Sequence, residues 1–275
     1  MVYKNIRFIF LTVALTVWLA VFTVDDSLHI IACDVGQGDA ILIQKNNTQI
    51  LIDGGPNQKI LDCLGSYMPF YDRKIELVIL THPELDHYGG LIDVVKTYNI
   101  KTYAHNGTTS SNQTFKVLEN EIGGRGIPSM PIGKDMVIRL GMIYLDIVHP
   151  DTKDFGVGVN DQGIVTLLKY GQFKALFTAD VEQEVSNQIS ESSQIQNINY
   201  LKVNHHGSKN GLSQKLLDAV FSGSLPAGRR VAVISVGAKN SYGHPHEEVI
   251  KILSEKDIKI LRTDQMGDID FEVKN

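Results

Sequence analysis

Two cysteines in 275 residues are too few for a disulfide scaffold or a cysteine-ligated metal centre. Cys33 lies in the apolar run LHIIAC, where a buried thiol is expected. The chain also lacks an excess of one charge: 26 Lys and Arg stand against 31 Asp and Glu, a formal net charge of −5. That balance sets up no global field for a polyanion, so any hold on phosphate must come from a local patch or a metal. Long apolar runs are scarce. The mean hydropathy is −0.05 and only one extended uncharged stretch occurs, which excludes a multi-span transporter. There is no internal repeat or low-complexity tract, and 43% hydrophobic residues exclude a disordered chain. Two common chemistries are missing too, with neither a G-x-S-x-G nucleophile elbow nor a G-x-x-x-x-G-K-S/T phosphate loop. The GQG of VGQGDA does not extend to G-x-G-x-x-G.

The one uncharged stretch runs from Phe8 to Val24, behind Lys4 and Arg7 and ahead of Asp25 and Asp26. As a helix it would be about 26 Å long, at the lower limit for a membrane span. No good small-x-small cleavage site follows it. The expectation is an uncleaved signal anchor over residues 1–27, the positive flank staying in the cytoplasm and residues 28–275 lying outside. A cleaved signal, giving a secreted body, and a buried core helix are the alternatives.

From Leu28 onward the chain is strand-rich and punctuated by glycine. LHIIAC, AILIQK and QILIDG read as short strands separated by tight turns. A helix near Lys59–Tyr67, a strand Leu77–Leu80 and a helix starting near Gly90 follow. MVIRL–GMIYLDIV and IVTLLKY–FKALFT read as strand pairs. Helices Val181–Ile189, Leu212–Phe221 and Pro245–Leu253 alternate with strands INYLKV, VAVISV and IKILR, before a last strand DIDFEV. Residues Asn106–Ile132, rich in Gly, Ser, Thr and Asn, read as a surface insertion. Two strand-rich halves, each with helices, imply two packed sheets with helices outside.

The chemistry concentrates at strand ends. In THPELDHYGG, His82, Glu84, Asp86 and His87 fall within six residues just after a strand. On an extended loop His82 and Glu84 address one point, and after the turn Asp86 and His87 address another. Imidazole with carboxylate suits Zn²⁺, Mn²⁺ or Fe better than Ca²⁺ or Mg²⁺. His149, Asp180 and His205 each follow a β-type run and so join the candidates for a sheet-rim site.

These segments, with DVGQGDAILI, LIDGG, VNDQGIVTLLKYG, LFTADVE, LKVNHHGS and SYGHPHEEV in order, resemble the metallo-β-lactamase superfamily, in particular the hydrolase domain of ComEC-type competence DNA-uptake proteins. The likeness covers about Leu28 to Val273. It implies an α+β fold, the αββα sandwich of two packed mixed sheets flanked by helices, here behind an N-terminal transmembrane helix. It further implies two divalent ions, Zn²⁺ or Mn²⁺, one on His82, Glu84 and His149 and the other on Asp86, His87 and His205. Asp180 would bridge them together with a hydroxide. Asp53 would orient the metal-binding loop, and His206, Ser208 and His244 would line the substrate side. His244, if protonated, and Asp86 are the candidate catalytic groups. The implied activity is phosphodiester hydrolysis, with single-stranded DNA as the family-suggested substrate and an envelope phospholipid or polymer headgroup as the alternative. The ComEC channel is missing, so transport is not expected.

Three positions depart from the family pattern. Glu84 is a methylene longer than the usual Asp, Gly163 stands where Ser is common, and Ala179 replaces the Gly before Asp180. Because a Cβ disfavours positive φ, Ala179 is expected in an ordinary backbone conformation. These departures motivate a second reading, a non-catalytic or single-metal binding module of the same fold. Lys202, Lys209 and Lys215 read as solvated lysines, and Asp34 as a turn-capping carboxylate.

Overall fold

The computed structural model describes residues 12–13, 26–151, 158–223, 230–256 and 258–274. The expected span Phe8–Val24 falls almost wholly outside these residues. Among the described residues no helix is long and apolar enough to cross a membrane.

Two seven-stranded sheets face each other. The first runs in the order Ile269–Val273, Leu28–Ala32, Ile41–Lys45, Thr48–Ile52, Leu77–Leu80, Tyr103–His105, Ser129–Pro131. The second runs Lys259–Arg262, Val231–Ile234, Tyr200–Lys202, Phe173–Phe177, Val165–Tyr170, Ile143–His149, Val137–Leu140. Each sheet is half antiparallel and half parallel, so both are mixed.

The layering follows from strand periodicity. Alternate residues point to opposite faces, and here both faces are apolar, so strands such as LVIL at Leu77–Leu80 lose the half-polar alternation. Ile30, Ile43, Ile50 and Ile79 meet Leu145, Leu168, Phe177 and Val233 between the sheets. Leu42, Leu51 and Val78, on the reverse of the first sheet, pack on Leu64, Leu91 and Leu118 from helices. Leu167, Leu176 and Leu201, on the reverse of the second, pack on Leu216, Val220 and Leu253. Three apolar layers separate four layers of secondary structure, helix, sheet, sheet, helix.

Two sequence expectations change. Cys33 is not a free thiol: it forms a disulfide with Cys63 of the helix Lys59–Tyr67, with Cα atoms 5.9 Å apart. The apolar neighbours of Cys33 are equally those of a buried cystine, and nothing local reveals a partner 30 residues away. The Asn106–Ile132 segment is not a bare insertion. It holds the helix Gln113–Gly124, which buries Phe115, Leu118 and Ile122 at helical spacing and is capped by Asn112 accepting from the Thr114 N–H. It then adds the edge strand Ser129–Pro131.

Candidate metal centre

The site assembles where parallel strands end. Asp53 follows Thr48–Ile52, Thr81 and His82 follow Leu77–Leu80, Asp180 follows Phe173–Phe177, and His205 and His206 follow Tyr200–Lys202. Ligand-bearing loops at the carboxyl ends of parallel strands are the general arrangement in such sheets.

Glycine lets three of these loops nest backbone to backbone. The Asp39 N–H donates to Asp86 O (3.2 Å), Gly54 N–H to His87 O (2.7 Å) and Gly90 N–H to Gly55 O (2.8 Å). A Cβ on Gly38 would lie 2.2 Å from Asp86 O, and one on Gly90 2.2 Å from Gly54 O, so no side chain fits at either place. GQG and DGG therefore serve as the floor on which His82–His87 rests.

Asp86, His87, Asp180 and His206 present ligand atoms that all lie within 4.8 Å of one another. His87 and His206 are fully enclosed, and each has its Nδ1 committed: His87 Nδ1 donates to Asp53 Oδ2 (2.8 Å) and His206 Nδ1 to Ser235 O (2.9 Å). The opposite nitrogens face inward, His87 Nε2 at 3.3 Å and His206 Nε2 at 3.2 Å from Asp180 Oδ2, and His206 Nε2 also at 3.4 Å from Asp86 Oδ2. Asp53, held at φ 59°, accepts from both the N–H and the hydroxyl of Thr81 at 2.8 Å. That hydroxyl in turn sits 3.0 Å from His82 Nδ1. Outer contacts of this kind fix ring orientation and point the remaining nitrogen at one place.

The inward atoms are the telling ones. His82 Nε2, His87 Nε2 and His206 Nε2 are buried yet make no hydrogen bond. Buried polar atoms are nearly always satisfied, so a convergent set of orphans fits a missing ligand. The two imidazoles and two carboxylates of Asp86, His87, Asp180 and His206 are a donor set for a divalent transition ion.

Charge is distributed unevenly over the rings. Burial pushes the His82 imidazole down to about 3, with His87 adding to the effect, so it stands neutral and able to ligate. Burial opposes a proton on His87 and His206 as well, but Asp180 first, and Asp53 or Asp39 next, raise both well above the usual histidine range. Asp180 goes the other way: burial favours its acid form, yet His206 and His87 hold it well below the carboxylate range. A cation would thus displace protons from His87 and His206.

The other expected residues are placed as follows. His205 lies outside the four, 3.8 Å from Asp180 Oδ2 and partly exposed, while its neighbour His206 faces inward. Both have left-handed backbone (φ 48° and 53°), a geometry that decides which ring points in. His149 is buried, its Nε2 2.6 Å from Asp161 O. Glu84 is half-buried ahead of the short helix Leu85–Tyr88, its carboxyl raised by burial and by Asp86, and is not among the four. Ser208 is buried and its hydroxyl accepts from the Asn210 N–H (3.3 Å). His244 lies beside His205, with ring centres 5.8 Å apart. Burial, then His206 and His205, depress His244 to about 4, which favours the neutral ring.

Two residues escape sequence reasoning. Lys202, read as solvated, has no exposed surface: its Nζ pairs with Asp39 and lies 3.8 Å from Asp180 Oδ1. Burial would raise Asp39, but Lys202 and His206 bring it down to about 2. The available signal was the position of Lys202 between Leu201 and Val203 in a buried strand, where a lysine needs a carboxylate.

Ala179 corrects a further expectation, since its φ is 48°, left-handed despite its Cβ. A Cβ at Gly163 would fall 3.0 Å from that of Ala179 and 2.9 Å from Asn160 O. The two departures from the family pattern are therefore one packing change: the missing side chain at 163 makes room for the extra one at 179. Gly163→Ser alone should cost roughly 1–3 kcal/mol through overpacking. Ala179→Gly should gain about 1 kcal/mol by relieving the backbone. Combined, the two should recover the part of the serine's cost that Ala179 causes. Urea unfolding of the four proteins measures this, and simple additivity would show the positions to be independent.

Residues 33–223 match the metallo-beta-lactamase superfamily pattern. ComE operon protein 3 of Bacillus subtilis (strain 168) is 26% identical over 261 residues, covering 88% of this chain and 32% of that protein. Recombination protein 2 of Haemophilus influenzae is 28% identical over 227 residues, covering 80% and 26%. The chain spans about a third or less of the length of the curated relatives it matches. Among solved structures, the metallo-beta-lactamase fold protein YhfI of Bacillus subtilis superposes with a TM-score of 0.57 at 14% identity, covering 90% of this chain and all of that one. Zn²⁺-bound PqqB from Methylobacterium extorquens superposes with a TM-score of 0.55 at 11% identity, covering 86% and 88%. These likenesses establish the shared fold. With the superfamily pattern running through most of its length and the αββα layers in place, the chain belongs to the metallo-β-lactamase superfamily.

Proposed function

We propose that this chain is a membrane-anchored, extracytoplasmic, metal-dependent phosphodiesterase. The observation that carries the reading is the convergent set Asp86, His87, Asp180 and His206, in which the inward Nε2 atoms of His87 and His206 are buried without hydrogen-bond partners. A Zn²⁺ or Mn²⁺ ion bound there would supply Lewis-acid charge for a phosphoryl oxygen and for activating water. The chain's part is to fix the donors. Asp53 orients His87, Ser235 O orients His206, and Asp180 carries the negative charge on which both rings converge. Neutral His244, beside His205 at the rim, can accept the proton that the attacking water gives up. The Cys33–Cys63 disulfide supports an oxidising, extracytoplasmic location. The curated relatives named for competence and recombination support DNA as a substrate to try first.

A second reading is a single-metal binding module. It is favoured by the positions of Glu84 and His149, which stand outside the one set of four. One experiment separates the readings. Full-length protein, stripped with chelator and reloaded with Zn²⁺ or Mn²⁺, is assayed on bis-p-nitrophenyl phosphate and on single-stranded DNA. Metal-restored hydrolysis of either is expected. Metal uptake without turnover would sink the enzyme reading and leave the binding module.

A further inference from the structure

The loop after the helix Lys59–Tyr67 carries two outward aromatics that nothing in the catalytic reading uses. Phe70 is 89% exposed and Tyr71 63%, packed edge to face on each other at 5.4 Å. Both ends of this loop are tied to one edge of the molecule. Tyr67, at its start, shares a shallow hollow with Ser27 and Asn46. At its far end Glu76 exchanges backbone and side-chain bonds with Gln49, just past the Asn46–Asn47 turn.

That edge is also where the chain enters the fold. Asp26 is held by Lys45 (Oδ1 to Nζ 2.8 Å), directly behind the uncharged run Phe8–Val24. The metal centre lies at the other end of the same strands. Asp39 precedes Ile41–Lys45 and Asp53 follows Thr48–Ile52, so a five-residue strand, roughly 16 Å, separates the two ends.

We propose that Phe70 and Tyr71 form a membrane-docking knuckle that seats in the lipid interface beside the anchor and holds the metal centre facing away from the bilayer. This rests on the anchored reading above. The committed occupant is the headgroup and upper acyl region of a bilayer. Aromatic side chains favour that zone, where an apolar ring body and a polar tip such as the Tyr71 hydroxyl are both accommodated. Exposed aromatics so close to a chain entry point have a surface to meet as soon as the preceding run is in lipid.

The test uses the full chain in vesicles of phosphatidylcholine and phosphatidylglycerol. Trp18 is the single tryptophan, so Trp18→Phe provides a silent background. Phe70→Trp reports on the knuckle, and Tyr242→Trp, at an exposed position beside His244, reports on the opposite end. Seating in the interface should blue-shift Phe70→Trp emission and let lipids brominated near the headgroup quench it about twofold or more, with Tyr242→Trp unaffected. If the protein floats with salt-washed vesicles but both tryptophans stay equally unquenched, the knuckle is overturned and the anchor stands. If the protein does not float, both fall. A blue shift that depends on protein concentration and not on brominated lipid would assign the aromatics to a second copy of the chain, also overturning the proposal.

Discussion

Lys202→Met should lower the melting temperature of the metal-free protein by roughly 10 °C, the effect of losing about 3–5 kcal/mol when one partner leaves a buried ion pair. Methionine fills much the same space as the lysine stem, so the change removes a charge and little volume. What remains is Asp39, 2% exposed, and Asp180, 1% exposed, with His206 as the one cation still shared between them among the described residues. The pH dependence gives the diagnostic. In the native protein Asp39 is lowered from 3.8 to about 2, so its contribution is full above the ordinary carboxylate range and fades as pH falls toward 2. With Lys202 gone, burial, the largest influence on Asp39, acts to raise its pKa. With only His206 left to oppose burial, ionisation of Asp39 stabilises the fold less, so stability should rise less with pH through the carboxylate range in the variant than in the native protein. Thermal unfolding from pH 3 to 8 in chelator decides it. Parallel profiles would mean the ammonium is not what keeps Asp39 ionised. Asp39→Asn added to Lys202→Met should restore part of the loss, because no unpaired charge then stays buried at that position.

Asp180→Asn should weaken metal binding by more than about 100-fold, beyond the 10–100-fold typical of residues that only support a ligand. Its carboxylate is the common neighbour of His87 at 3.3 Å and His206 at 3.2 Å, and Lys202 occupies the side of its other oxygen. An amide keeps the shape and removes the charge that draws both rings and the ion together. Glu84→Ala and His149→Ala should leave this tight site in place, since neither belongs to the set of four. Metal titration of the chelator-stripped variants reads all three. Native affinity in Asp180→Asn would remove it from the centre, and loss of the tight site in Glu84→Ala would put the longer carboxylate back among the ligands.

Much of the ordering of strands and helices was legible in the residues alone, outside the Asn106–Ile132 segment, whose helix and edge strand were not. Lys59–Tyr67 and Leu77–Leu80 have the expected bounds because hydrophobic period and glycine boundaries are local signals. That His82, Asp86 and His87 lie together just past a strand was equally legible, because they are close in sequence. Ala179 shows where local rules stop: its left-handed backbone persists because Gly163, 16 positions earlier, leaves space for its Cβ and because its carbonyl accepts from the His205 N–H.

What the sequence by itself determined, then, is the layered α+β architecture and the residue types that gather at the strand ends. Tertiary structure alone decided which members of that pool converge. It turned His206 inward in place of His205, paired Lys202 with Asp39 across the two sheets, and joined Cys33 to Cys63. Each of these depends on contacts between chain segments far apart in sequence. Orientation of a ring in a left-handed turn, or the burial of a lysine, is set by what packs against it and not by its neighbours along the chain.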